Sequence, residues 1–123
     1  MIGYTTLGTN DLDRAIAFYD ALLGVVGVKQ LAKTERMAMW GEEMGKGMLT
    51  ICKPWDGEPA TVGNGVMVAL NVGTREAVDR LYAKAIELGA ADEGAAGERG
   101  QGFYGGYFRD LDGNKLCGFC LGG

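Results

Sequence analysis

The chain has 123 residues, 47% of them apolar, and its 12 basic against 16 acidic side chains give a net charge of −4. That length suits one compact domain, and the lack of any lysine and arginine stripe excludes a nucleic-acid partner. No apolar run nears the roughly 20 residues of a membrane helix, and the first residues lack the basic, apolar, small-residue order of a signal peptide; a cytoplasmic protein with no membrane partner is expected.

Residues 3–9 are rich in β-branched and aromatic side chains and predict a strand that runs into Asn10 and Asp11, both good helix caps. From Leu12 the apolar positions Ala15, Ile16, Tyr19, Leu22 and Leu23 follow the three-and-four spacing of one buried helical stripe, with Gly24 as its stop. Short strands are expected at 28–33, 36–40 and 48–53, separated by charged or glycine-bearing turns. Residues 54–65 hold both prolines and three glycines and form the natural connection to a second half. There the order restarts. Residues 66–72 read as a strand, Thr74 caps a helix with the stripe Val78, Leu81, Tyr82, Ala85 and Leu88, and Gly89 ends it. The last strands are expected at 91–93, weakly, then at 103–109 and 115–121, with 110–114 as the turn between the final pair.

Shifting the sequence by 63 positions places Leu7 on Leu70, Phe18 on Leu81, Tyr19 on Tyr82 and Leu23 on Ile86. Element order, helix phase and individual residues agree, which predicts an α+β domain of two repeated βαβββ modules, about 1–54 and 66–123, joined by a linker at 55–65. Their curved mixed sheets are expected to enclose a cleft.

The stretch from Thr9 to Tyr19 followed by Leu23-Gly24, and the closing Phe108-Arg109-Asp110-Leu111-Asp112-Gly113-Asn114-Lys115-Leu116, resemble the opening helix and last hairpin of the vicinal oxygen chelate superfamily. That superfamily holds glyoxalase I, bleomycin-resistance proteins and extradiol dioxygenases. The resemblance implies the paired-module fold, and it implies no single function. Its metal-binding members carry histidine or glutamine on the first strand, glutamate on the fourth, histidine on the fifth and glutamate on the eighth. Matching those motifs puts Tyr4, Thr50, Met67 and Cys117 at the four places, in a chain without histidine. A phenol, a hydroxyl, a thioether and one thiol make a poor set for a divalent ion, so neither a metal nor another cofactor is expected.

Alternation along the fifth strand sends Val66, Val68, Leu70 and Val72 toward the helices and Met67, Ala69 and Asn71 to the other side. Met67 and Asn71, with Tyr4 and Thr6 from the first strand, face the cleft, and the resemblance adds Thr50 and Cys117; these six form the candidate ligand site, suited to a small, partly apolar organic molecule. Tyr4 and Met67 serve equally well as plain filling of the vacated metal position. Cys52, Cys117 and Cys120 are an odd number of thiols in a chain large enough to fold without staples, and are read as reduced. Cys117 and Cys120, three apart on one strand, point to opposite faces and cannot share an ion. The letters Gly100-Gln101-Gly102-Phe103-Tyr104-Gly105 spell a dinucleotide motif but run into a strand instead of a helix. Asp110 and Asp112 lack the rest of a calcium loop and are read as turn residues.

Three functions follow. One is a metal-free small-molecule-binding protein. Another is a lyase or other glyoxalase-like enzyme acting without metal, through Tyr4 or Cys117, although no histidine is present to serve as base. The last is a protein of self-association, since a homodimer is what the resemblance implies.

Overall fold

The computed structural model describes residues 1–122. The chain runs β1 (Tyr4–Gly8), α1 (Leu12–Gly24), β2 (Lys29–Lys33), β3 (Met37–Gly41), β4 (Met48–Cys52), β5 (Val68–Asn71), α2 (Arg75–Glu87), β6 (Ala91–Glu98), β7 (Phe103–Arg109) and β8 (Lys115–Leu121). Two separate four-stranded sheets form, ordered β1-β4-β3-β2 and β5-β8-β7-β6, and neither closes on itself. In each, the first strand pairs in parallel with the last and the remaining pairs are antiparallel.

The repeat is visible in the element bounds, since α1 and α2 lie 63 residues apart at both ends. Asp11 caps α1 by accepting the Arg14 N–H at 3.1 Å, and Thr74 caps α2 by accepting that of Ala77 at 3.1 Å. Gly89 stops α2 as expected: it takes φ 99°, and Ala90 N–H reaches the Ala85 carbonyl at 2.9 Å. In α1 the expected stop is displaced. Gly24 is the last helical residue, and the left-handed position falls to Gly27 at φ 78°.

Helices and sheets share the core equally. Leu7, Ala38, Trp40, Leu49 and Ile51 from one sheet and Phe108 and Leu116 from the other pack with Phe18, Tyr19, Leu22 and Leu81 into one buried cluster. Each such large side chain contributes roughly 1.5–3 kcal/mol relative to exposure. Both sheets turn this face to the helices, so each leaves its other face pointing away from the shared core. Two strands differ from expectation. β5 begins at Val68, leaving Val66 and Met67 exposed before it. β6 extends to Glu98 despite its glycines and alanines, because β7 offers it a long partner across two register shifts.

A polar clasp joins the modules. The turn after β7 holds Asp110, whose Oδ1 accepts the N–H groups of Asp112 and Asn114, both at 2.9 Å. Its Oδ2 accepts the buried Tyr19 hydroxyl at 2.5 Å and the Asn114 side-chain amide at 3.0 Å. Asn114 also donates to the Gly8 carbonyl at 2.9 Å. Asp112 accepts the Thr9 hydroxyl at 2.6 Å and the Asn10 N–H at 2.9 Å, and pairs with Arg14 at 3.4 Å. Asp110 and Asp112 are therefore turn residues, as expected, and also the cement between halves.

Candidate functional site

Residues directly opposed in a pair of strands point to the same side of the sheet. The β1–β4 register opposes Tyr4 to Met48 and Thr6 to Thr50, which puts Tyr4, Thr6 and Thr50 on the outer face of the first sheet. The β5–β8 register opposes Ala69 to Cys117 and Asn71 to Phe119, which puts Asn71 and Cys117 on the outer face of the second. Met67 lies just ahead of β5. Thr50 and Cys117 thus occupy equivalent places, opposite Thr6 and Ala69, which are themselves 63 residues apart. The structure brings the six candidates together as two groups, one per sheet.

Their surroundings differ. Tyr4, Thr6, Met67 and Asn71 are exposed, whereas Thr50 is 1% and Cys117 0% exposed. Asn71 turns its carbonyl oxygen back to the Gly73 N–H at 3.1 Å, leaving its amide N–H groups outward. Thr6 lines a recess of about 520 Å³ with Arg36, Cys52, Pro54 and Trp55. Asn71 lines a separate one of about 230 Å³ with Trp40, Leu49 and Val72. Neither recess takes in Tyr4, Thr50, Met67 or Cys117.

Thr50 carries an unusual cost. Its buried hydroxyl has no hydrogen-bond partner among the described residues, a loss worth about 1–3 kcal/mol. Thr50→Val, which exchanges that hydroxyl for a methyl, is expected to stabilise the free protein by about 1 kcal/mol, read as a higher urea midpoint at unchanged slope.

Around Cys117 the second sheet gathers groups the sequence reading passed over. Tyr107 stands directly opposite it and Lys115 and Phe119 flank it on the same strand face. Burial pushes the Cys117 thiol up, and the neighbouring Tyr107 hydroxyl and the charges of Arg99 and Lys115 only partly offset this. Tyr107 is raised as well, by burial first and by Cys117 second. The signal was present as the period-two pattern Lys115, Cys117, Phe119 facing Tyr107 and Arg109. Cys120, three residues on from Cys117, is buried on the inner face, and all three cysteines are free.

The four positions that hold metal in the resembled superfamily do not fit one here. Tyr4 and Thr50 stand on one sheet, Met67 and Cys117 on or beside the other, and none is a carboxylate or imidazole. Among the described residues no group of three or more cysteine, aspartate or glutamate side chains is placed to hold a metal elsewhere. The glycine-rich letters at 100–105 form the β6–β7 turn, with Gly100, Gln101 and Gly102 all at positive φ, and open a strand. They build no helix start for a phosphate.

Comparison with known proteins agrees with this architecture. The family model of the Glyoxalase/Bleomycin resistance protein/Dioxygenase superfamily matches residues 1–117. A crystal structure of a glyoxalase/bleomycin resistance protein from Albidiferax ferrireducens T118 is 30% identical, covers 96% of both chains and superposes with a TM-score of 0.88. The hypothetical protein SA1046 from S. aureus is 27% identical, with 98% and 93% of the two chains covered and a TM-score of 0.72. A lactoylglutathione lyase from Agrobacterium tumefaciens, 24% identical over 97% and 92% of the chains with a TM-score of 0.68, shares the fold. No curated protein sequence matches the chain.

Proposed function

The chain belongs to the glyoxalase/bleomycin resistance protein/dioxygenase superfamily, and from that premise we propose that it is a metal-independent binding protein for a small, partly apolar organic molecule. The unpartnered Thr50 hydroxyl carries this reading. It sits beside exposed Thr6 and Tyr4, at the place equivalent to Cys117 in the other module, and finds no hydrogen-bond partner among the described residues. Apolar surface around a few fixed polar groups is the usual make-up of a small-molecule site. Catalysis through the Cys117 thiol is the weaker reading, since burial raises its pKa and so disfavours the thiolate that would attack.

The proposal extends to assembly. Each outer face holds half of the candidate residues, and Tyr4, Met67 and Leu121 expose apolar surface there and nearby. We take the protein to be a homodimer in which the outer face of one copy's first sheet meets that of its partner's second sheet, closing the cleft.

The test is a thermal-shift screen of neutral and acidic aromatic molecules with EDTA present throughout, paired with light scattering. A rise in Tm that EDTA leaves intact, that Thr50→Val reduces, and a mass of two chains are expected. Stabilisation only when a divalent cation is restored would overturn the metal-independent reading, and a monomer at every concentration would overturn the shared cleft.

A further inference from the structure

The outer face of the second sheet carries positive charge that the fold only partly neutralises. Arg99, just past β6, folds its guanidinium back along that strand: a Cβ at Gly97 would stand 3.0 Å from Nη1, and one at Gly94 would stand 3.4 Å from Nη2. A side chain at Gly97 would crowd it. It ends 5.3 Å from the centre of the Tyr107 ring, and Lys115 Nζ approaches the same ring to 5.7 Å. Arg109 belongs to the same face, opposite Lys115.

One carboxylate answers two of these three cations. Glu93 lies 3.4 Å from Arg109 and 3.7 Å from Lys115. Arg99 donates to the Ala95 carbonyl at 2.5 Å and meets no carboxylate among the described residues. In a chain of net charge −4 this leaves a local excess of two positive charges. Next to it on the same face, Phe119 and Phe103 stack with ring centres 5.1 Å apart and planes 4° from parallel. A pair of charged donors beside an aromatic platform is complementary to an anion with a flat apolar body.

We propose that this face takes the acidic group of an organic acid, held by Arg99 and Lys115 against Tyr107, while the apolar body lies along Phe119 and Phe103. The inference rests on the small-molecule reading above and names the ligand's class. The donors are charged and the ring is shared, so the acid is preferred over its neutral analogue, and salt weakens the preference.

Calorimetric titration of the full chain with 1-naphthoate and with its neutral amide, 1-naphthamide, tests this, with amide NMR shifts to locate the contact. The acid is expected to bind about tenfold or more tightly than the amide, with shifts centred on β7 and β8, and R99Q and K115Q are each expected to weaken it by about tenfold, the size of one charge-assisted hydrogen bond. Both side chains are partly or wholly exposed, so the variants keep the fold. Equal affinity for acid and amide, indifference to R99Q and K115Q, or shifts confined to other elements would overturn the proposal. If neither naphthalene binds while neutral molecules from the screen still raise Tm, the anion site fails and the small-molecule reading stands.

Discussion

Replacing Asp110 by alanine is expected to cost about 3–5 kcal/mol, the largest loss from any single polar side chain in the molecule. The carboxylate is 6% exposed and serves four donors at once: the Tyr19 hydroxyl, the N–H groups of Asp112 and Asn114, and the Asn114 amide. Its removal strands all of them in a site that water barely reaches, and unsatisfied buried donors carry their full desolvation penalty. Against a total stability of about 5–15 kcal/mol for a domain of this kind, a third or more would be lost. Urea unfolding should show a much lower midpoint at unchanged slope. Tyr19→Phe removes one donor and leaves Asp110 its other three, so about 1–2 kcal/mol is expected. Equal, small effects from the two variants would contradict the clasp.

The same contact gives an alkaline signature. Burial, followed by the charge of Asp110, holds the Tyr19 phenol well above the ordinary value of 10.0. The folded state therefore keeps a proton that the unfolded state releases above that pH. The stabilisation is present in full below pH 10 and is lost as pH rises above it. Stability measured across this alkaline range should fall more steeply for the native chain than for Tyr19→Phe.

The second large effect concerns Gly118 at the middle of β8. A Cβ there would lie 2.5 Å from Leu81 Cδ2, and Leu81 is wholly buried on α2. Gly118→Ala is expected to cost about 1–3 kcal/mol by overpacking, and Leu81→Ala about 2–5 kcal/mol by leaving a cavity. Combined, the two should cost less than their sum, because the new methyl enters the space the leucine gives up. Strict additivity would show that helix and strand do not meet as described.

Both helices and the final hairpin could be read directly from the chain, because caps, apolar spacing and glycine stops are local signals. The 63-residue shift matches α1 to α2 at both ends for the same reason. The clasp was not legible. Thr9 and Asp112 stand 103 positions apart, and nothing local to either says they meet. Yet the two motifs that carried the family resemblance are the two sides of that clasp, which explains why they mark the fold and say little about function. β6 was underestimated because its glycines and alanines have weak strand preference, and only β7 makes a strand of them. At the site, alternation along the fifth strand separated Met67 and Asn71 from the valines, whereas Thr50 and Cys117 came only from the resemblance; Arg99 escaped notice, since it reaches Tyr107 from beyond a strand end across two glycines.

What separates this chain from the metal-binding pattern it resembles is the donor set at four positions, Tyr4, Thr50, Met67 and Cys117. Calorimetric titration of Zn²⁺ and Ni²⁺ into EDTA-treated protein near neutral pH addresses that difference most directly. The account predicts heats of dilution alone, with no saturable isotherm and no metal-dependent rise in Tm. A one-to-one isotherm that disappears on replacing Cys117 by serine or Thr50 by valine would contradict it.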